Sequence, residues 1–353
     1  MKALVLSGGT GTRLRPFTYS LPKQLIPIAN KPVLLYCLDA VRDMGIRDIG
    51  IVVGDQEEQI RAVVGDGSPA GARVTYIRQD APRGLAHCVA IAGAYLGDDD
   101  FVLFLGDNLL IGGIPEVADT FRAHRPDAMI LLAKVDDSRQ YGVAELDPDG
   151  GVTALVEKPR EPRSDLAITG LCFFTPAIHE SVRRIRPSRR GELEITDAIQ
   201  DLLDQGSPVR ADQYGGYWKD VGDVASVLEC NRVVLDSLRA GQDGRAFPGS
   251  TIRGEVIVAP DATIIRSQLE GPVVIGAGSV IQDSGVGPHT SIGRHCRVSG
   301  AVLAESILLD GAVVEASSGL HDSLIGRGAH VKGIAAPSGR LLLGDHAEMV
   351  LTT

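Results

Sequence analysis

The chain has no long apolar run. Nothing in it approaches the roughly 18 residues that suggest a membrane span, and MKALVL leads straight into glycines, so no secretory leader is read there. Positive charge is not in excess either: 35 Lys and Arg stand against 45 Asp and Glu, a net charge of −10. That balance argues against nucleic acid or a membrane surface as a partner. The five cysteines (Cys37, Cys88, Cys172, Cys230, Cys296) sit in apolar surroundings, with no C-x-x-C and no Cys/His cluster. They read as buried thiols in a reducing cytoplasm, not as a zinc site. Lysine is scarce beside arginine, which makes Lys23 and Lys158 stand out. An acidic protein that handles phosphates must gather its few cations, or a metal, at one place.

Glycine is plentiful, and its first cluster is LSGGTGTRLRP at 6–16. Gly8, Gly9 and Gly11 permit tight turning and close approach to a ligand. Backbone N–H groups in such a loop form a nest for anionic oxygen, and Arg13 adds a fork of donors. The GK[ST] ending of a Walker loop is missing. The dinucleotide fingerprint fails at Leu14, and no acidic residue follows about 20 positions on. A plain tight turn and a phosphate cradle both remain open at this point. The continuation, RLRPFTYSLPKQLIPIANKP, is too long for a hairpin and brings Lys23 within reach of the loop.

With 353 residues and 44% hydrophobic content, the chain can bury two sizeable cores. Up to about residue 240, apolar runs (ALVL, DIGIVV, RVTYI, DFVLFLG, AMILLA) alternate with helical stretches such as VLLYCLDAVRDM and LAHCVAIAGAYL. That alternation predicts an α/β fold with a mostly parallel, Rossmann-like sheet and ligands outside the C-terminal strand ends. The glycine loop, LGDN and Gln79 all fall there. Past about 250 a short phrase recurs: VAPDAT at 258, IGAGSV at 275, IGRHCR at 292, LDGAVV at 309 and IGRGAH at 325. Spacings of 17, 17, 17 and 16 residues are those of a hexapeptide-repeat parallel β-helix of about five coils. The expected division is a catalytic domain over 1–240, a linker over 241–250 and a β-helix over 251–345. ASVLECNRVVLDSL is expected to be the last helix of the first domain.

Nine motifs in order now resemble the sugar-1-phosphate nucleotidylyltransferases, and within them the long thymidylyltransferases that carry a left-handed β-helix at the C-terminus. They are LSGGTGTRLRP, LPKQLIP, QDAPRGLAH, LGDN, YGV, EKP, ITGLCFF, GELEITD and WKDVGD. The resemblance covers nearly the whole chain. It implies attack of α-D-glucose 1-phosphate on the α-phosphorus of dTTP, giving dTDP-glucose and pyrophosphate with Mg²⁺ as cofactor; a uridylyltransferase or another sugar-1-phosphate nucleotidyltransferase is the alternative within the same chemistry. The attacking oxygen is already an anion, so such a reaction needs no general base and no covalent nucleophile. It needs cations, backbone amides and a carboxylate-held metal.

The resemblance gives each residue its part. Asp107 and Asp220 are the metal ligands. Arg13 and Lys23 are catalytic, gripping the triphosphate and bridging the two phosphates. Leu6, Gly8, Gly9, Gly11, Thr12, Gln24, Gln79 and Gly84, with Arg13 and Asp107, line the nucleotide, and Gln79 and Gly84 read the base. Asn108, Gly142, Glu157, Lys158, Ile168 and Thr169 hold the sugar phosphate. Glu192 and Glu194 belong either to the pocket or to a helix start, while His87 is read as helix packing or a cap. Asp223 and Asp98–Asp100 are read as caps or loop residues. In the repeats, His289, His295, His321, His330 and His346 leave an acyltransferase role open. The flat faces of a β-helix favour a scaffold that associates with copies of itself.

Overall fold

Apolar runs at the centre of a parallel sheet are covered on both faces, and KALVLS, DIGIVV and FVLFL are buried almost without a break. The computed structural model describes residues 1–67, 71–239, 247–316, 319–333 and 339–350. The expected linker at 241–250 lies largely outside them. Two compact units emerge, Met1–Gly9 with Val33–Asp220 and Thr10–Pro32 with Val221–Thr353. The division by contacts therefore crosses the chain three times, with residues 10–32 assigned to the second unit.

In the first unit the strands are β1 (Lys2–Ser7), β2 (Asp48–Val53), β3 (Arg73–Arg78), β4 (Phe101–Leu105), β5 (Asn108–Ile111), β6 (Ala128–Lys134), β7 (Gly142–Leu146), β8 (Val152–Glu157), β9 (Leu166–Phe174), β10 (Val209–Gln213) and β11 (Tyr217–Asp220). Nine of them form one sheet, ordered β8-β7-β9-β4-β1-β2-β3, with β6 and then β10 on the other side of β9. β1 to β4 are mutually parallel, and β9 runs against β4, β6 and β7. β1 is flanked by β2 and β4, so the chain leaves it one way and later returns on the other. Loops after β1 and β4 open a crevice at that switch point. β9 pairs with β4 along Leu171–Phe174 but meets β7 at Ala167, and its register against β6 shifts between Ile168 and Cys172. β5 and β11 form a separate antiparallel ribbon.

The second unit contains the β-helix. Its strands build three parallel sheets of four, six and six members, with partners 16 to 18 residues apart. Each sheet sends one apolar column inward, as in Ile264–Ile281–Val298–Val314–Val331–Met349. At one corner left-handed backbone recurs through Gly278, His295, Gly311, Gly328 and His346, which suits glycine and tolerates few other residues. The six-stranded sheets show one coil more than the five recurring phrases. LGDHAE at 343 is the missed phrase, offset by 18 residues from IGRGAH. Buried serines tie coils together, Ser267 Oγ accepting the Ser284 N–H (3.1 Å) and Ser284 Oγ the Ala301 N–H (3.2 Å).

The helix Val224–Ser237 carries the expected Asp223 cap, which accepts the Ser226 N–H at 2.8 Å, and it packs on this β-helix. Asn231 is its hub: Oδ1 accepts from Ala29 N (2.9 Å) and Ser291 Oγ (2.7 Å), and Nδ2 donates to His289 O (3.0 Å). Segment 10–32 is therefore tied to the repeats near its end. A second tie joins Ser20 to Asp345. The nearly buried Asp345 carboxylate accepts from Ser20 Oγ (2.8 Å) and from Arg327 Nε (2.7 Å), while Arg327 also donates to Ser20 O.

Candidate active site

At the end of β4, Gly106 N–H donates to Leu6 O (2.9 Å), and Asp107 follows, only 7% exposed. Asp220 ends β11 directly opposite Asn108 at the start of β5. Residues far apart in sequence are thereby placed side by side. Asn108 holds this end: its Nδ2 donates to Asp107 Oδ1 (3.2 Å), and its Oδ1 accepts from Trp218 Nε1 (2.7 Å). Trp218 in turn meets Tyr141 edge-on. Burial, then the charge of Asp107, pushes the Cys37 thiol well above its ordinary range, a sign of negative potential there. Among the described residues no three His, Cys, Asp or Glu gather as a complete metal cage. Two carboxylates brought to one end of a ribbon are a donor set that suits Mg²⁺, a cation that takes most of its ligands from water and phosphate.

The next strand ends carry Gln79 and Gly84. Gln79 N–H donates to Val53 O, placing the residue beside the loop after β1, and its Oε1 lies 3.6 Å from where a Cβ on Gly8 would stand. Its Nε2 is 3.0 Å from His87 Nδ1 and 3.4 Å from Gly84 O. Gly84 has φ of +101°, and a Cβ there would come within 2.3 Å of Leu193 O. The close approach that demands glycine is thus to the backbone at 193, whose N–H and C=O bond Arg83 O and Ala86 N–H. Gly84, not His87, holds the N-cap position of the helix Leu85–Ile91, and His87 meets Gln79.

Farther along, Gly142, Glu157 and Ile168 lie together as expected. A Cβ on Gly142 would stand 3.2 Å from Glu157 Oε2 and 3.3 Å from Ile168 Cδ1. Glu157 accepts from Thr196 Oγ1 (3.1 Å) and from Arg190 (3.2 Å), and Lys158 Nζ lies 3.6 Å from its Oε1. Arg190 also pairs with Glu192 and Glu194. Burial raises the carboxyls of Glu194 and Asp197, with Glu157 adding to each. Thr169 sits at the register shift of β9, 1% exposed, its hydroxyl without a partner among the described residues. Bulges of this kind re-aim side chains next to active sites.

The second unit holds Gly11, Thr12, Arg13, Lys23 and Gln24. Gly11 has φ of +58°, and a Cβ there would stand 2.8 Å from Thr18 and 3.1 Å from Lys23 Cβ. The glycine loop and Lys23 do meet. Thr12 and Arg13 are exposed, Lys23 is half-buried and Gln24 is buried. Arg15 stacks over Tyr19 (5.0 Å). Arg190, Thr196, Trp218 and the His87 contact were missed from sequence. GELEITD, WKDVGD and QDAPRGLAH pointed to their neighbourhoods without showing these pairings.

Each of the five histidines of the repeats has a structural neighbour. His289 faces Asp236 (2.8 Å), His321 faces Asp322, and His330 faces Glu315. His295 and His346 lie under the corner glycines 278 and 328. All five cysteines are buried thiols outside any disulfide, and burial pushes the Cys172 thiol up to about 12. No helix among the described residues is long and apolar enough to cross a membrane.

The nucleotidyl transferase profile matches residues 2–237. A glucose-1-phosphate thymidylyltransferase of Streptomyces antibioticus is 50% identical over 352 residues, covering 99% of each chain. One from Streptomyces griseus is 50% identical over 357 residues, covering 100% of each. A Bacillus anthracis protein described as a glucose-1-phosphate thymidylyltransferase, solved with sucrose, superposes with a TM-score of 0.63 at 31% identity. It covers 69% of this chain and 98% of its own. With strand-end carboxylates, a glycine loop and full-length relatives in agreement, the chain belongs to the nucleotidyl transferase family.

Proposed function

We propose that this protein transfers a thymidylyl group from dTTP to α-D-glucose 1-phosphate. The observation that carries the reading is full-length identity of one half to two glucose-1-phosphate thymidylyltransferases, β-helix included. A phosphate oxygen of the sugar phosphate bonds to the α-phosphorus, the α–β phosphoanhydride bond breaks, and pyrophosphate leaves with the electron pair. Arg13 grips the triphosphate and meets charge growing on the leaving group, where a fixed fork of donors is strongest. Lys23 bridges the α- and sugar phosphates as a movable point charge, and Lys158 holds the sugar phosphate. Asp107 and Asp220 would hold Mg²⁺, which when bound neutralises phosphate charge. Asn108 keeps the Asp107 carboxylate in place.

Gln79 and Gly84 read the base, with Leu6, Gly8, Gly9, Gly11, Thr12 and Gln24 along the nucleotide. Glu157 accepts sugar hydroxyls, beside Gly142, Ile168 and Thr169, whose buried hydroxyl has capacity for one more bond. The catalytic domain on this reading is the sheet unit plus segment 10–32, and the β-helix serves self-association in the cytoplasm. The test is pyrophosphate release with Mg²⁺ and glucose 1-phosphate, offering dTTP, UTP, GTP, ATP and CTP separately, with light scattering for oligomer size. Preference for dTTP is expected. Equal or better rates with UTP would withdraw the thymidine assignment and leave the phosphate chemistry standing.

A further inference from the structure

A glutamine side chain can present a base with either an acceptor or two donors, and nothing in its own chemistry decides which. What surrounds Gln79 decides it. Its Nε2 lies toward Gly84 O, a carbonyl that can only accept, at 3.4 Å. The same nitrogen is 3.0 Å from His87 Nδ1. Cys88 lies one residue on, donating to Gly84 O at 3.6 Å. Burial pushes its thiol to about 12, and a hydrogen bond from Gln79 pulls in the opposite direction. Gly84 O, which can only accept, and the His87 Nδ1 thus lie against the amide nitrogen from the helix Leu85–Ile91 and its start. The reverse orientation would set Oε1 against Gly84 O, two acceptors with no proton between them. Oε1 is left on the side of Gly8, at the crevice.

We infer that His87 is a specificity-determining positioning residue: by accepting from Gln79 Nε2 it fixes the amide so that Oε1 faces the nucleobase. The inference rests on the reading of Gln79 as the base contact. A fixed acceptor selects a base with an N–H at the centre of its pairing edge, as in thymine and uracil. It rejects cytosine, whose N3 would face Oε1 acceptor to acceptor. His87 takes no part in the phosphoryl step. The inference requires the His87 tautomer whose Nδ1 is the acceptor. Buried polar groups left without their partners are what make hydrogen-bonding sites discriminate steeply.

The test compares His87→Leu, His87→Asn and His87→Lys, measuring pyrophosphate release with dTTP and dCTP. Asn places a carbonyl oxygen near the position of Nδ1 and retains the acceptor; Lys supplies only donors and draws Oε1 toward itself. His87 is half-buried, so these chains fold, as thermal melting checks. In His87→Leu, KM for dTTP rises about tenfold with kcat changed less than about threefold, the loss of one ordered hydrogen bond. The dTTP-over-dCTP ratio of kcat/KM falls by a similar factor, falls further in His87→Lys, and returns in His87→Asn. Equal losses for both nucleotides, or an unchanged ratio, overturn the inference. A readout without turnover separates it from the functional reading: the Gln79 carboxamide ¹⁵N–¹H signals of the ligand-free protein, identified by their loss in Gln79→Glu. They shift in His87→Leu and stay in place in His87→Asn. Signals that do not move in His87→Leu overturn it, whatever the enzyme assay shows.

Discussion

Asp220 lies directly across the β5–β11 ribbon from Asn108, one residue from Asp107. The register alone brings two carboxylates to one end of the ribbon, and Asn108 and Trp218 brace it with bonds of 3.2 and 2.7 Å. Asp107→Asn and Asp220→Asn are each expected to lower Mg²⁺-dependent turnover by about 10²–10³-fold, the several kcal/mol a metal contributes to stabilising charge. Melting temperature is expected to change little, because each substitution keeps the shape of the side chain. Titration with Mn²⁺ followed by its paramagnetic signal checks the site directly. Undiminished metal binding in both variants would remove these residues from it.

Trp218→Phe keeps the ring and deletes the donor to Asn108 Oδ1. About 1 kcal/mol of stability is expected to go, and the Mg²⁺ concentration for half-maximal turnover is expected to rise. A change in melting with no change in metal requirement would make Trp218 structural only.

Gly84→Ala asks one residue to adopt φ of +101° and to place a methyl 2.3 Å from Leu193 O. Strained backbone at a non-glycine residue costs about 1–3 kcal/mol, and the clash with main chain adds to it. Chemical denaturation is expected to show a loss of about 3 kcal/mol or more, with KM for dTTP raised. A well-folded variant of wild-type stability would show that the Arg83–Leu193 contact yields easily.

Much of this was legible in the chain, for identifiable reasons. Buried parallel strands announce themselves as unbroken apolar runs, as DIGIVV and FVLFL do, and the coils announce themselves by period. The sixth coil escaped because its phrase sits 18 residues on instead of 17. Strand-end positions also placed Gln79 and Asp107 correctly. What stayed hidden was pairing between distant residues. Nothing in GLAH says that His87 meets Gln79, and nothing in GELEITD says that Thr196 and Arg190 bond Glu157. Gly84 was read as a close approach for the base, but the backbone it does approach, at Leu193, lies more than a hundred residues away. The tie from Ser20 to Asp345 depends on the β-helix bringing its last coil to a loop near the N-terminus of the chain, which no local pattern encodes.

Asp197 carries a carboxyl raised by burial and then by Glu157. A carboxyl raised in the folded state binds more protons there than in the unfolded chain. Its effect therefore turns unfavourable as pH climbs from the ordinary Asp range (about 3.9) through the folded value, and the penalty is full above it. Asp197→Asn is expected to raise the melting temperature at pH 7 and to leave it nearly unchanged near pH 4. A stabilisation that grows toward acid would contradict the assigned cause.

The Asp345 carboxylate, its side chain 3% exposed, lies between Arg327 and Ser20. Segment 10–32, which carries Arg13 and Lys23, is held to the last coil through it. Ser20→Ala removes one hydrogen bond, about 1 kcal/mol, and leaves the Asp345–Arg327 pair intact. Asp345→Ala removes the carboxylate from Arg327, which keeps its bond to Ser20 O, and is expected to cost about 1–2 kcal/mol. On the proposed reaction, loosening this tie lowers kcat more than it raises KM for either substrate, because Arg13 and Lys23 act most on charge that develops as the phosphoryl group moves. Ser20→Thr retains a hydroxyl and is expected to restore turnover. Loss of stability with kcat untouched in Ser20→Ala would show that the β-helix steadies the chain without steadying the residues that hold the phosphates.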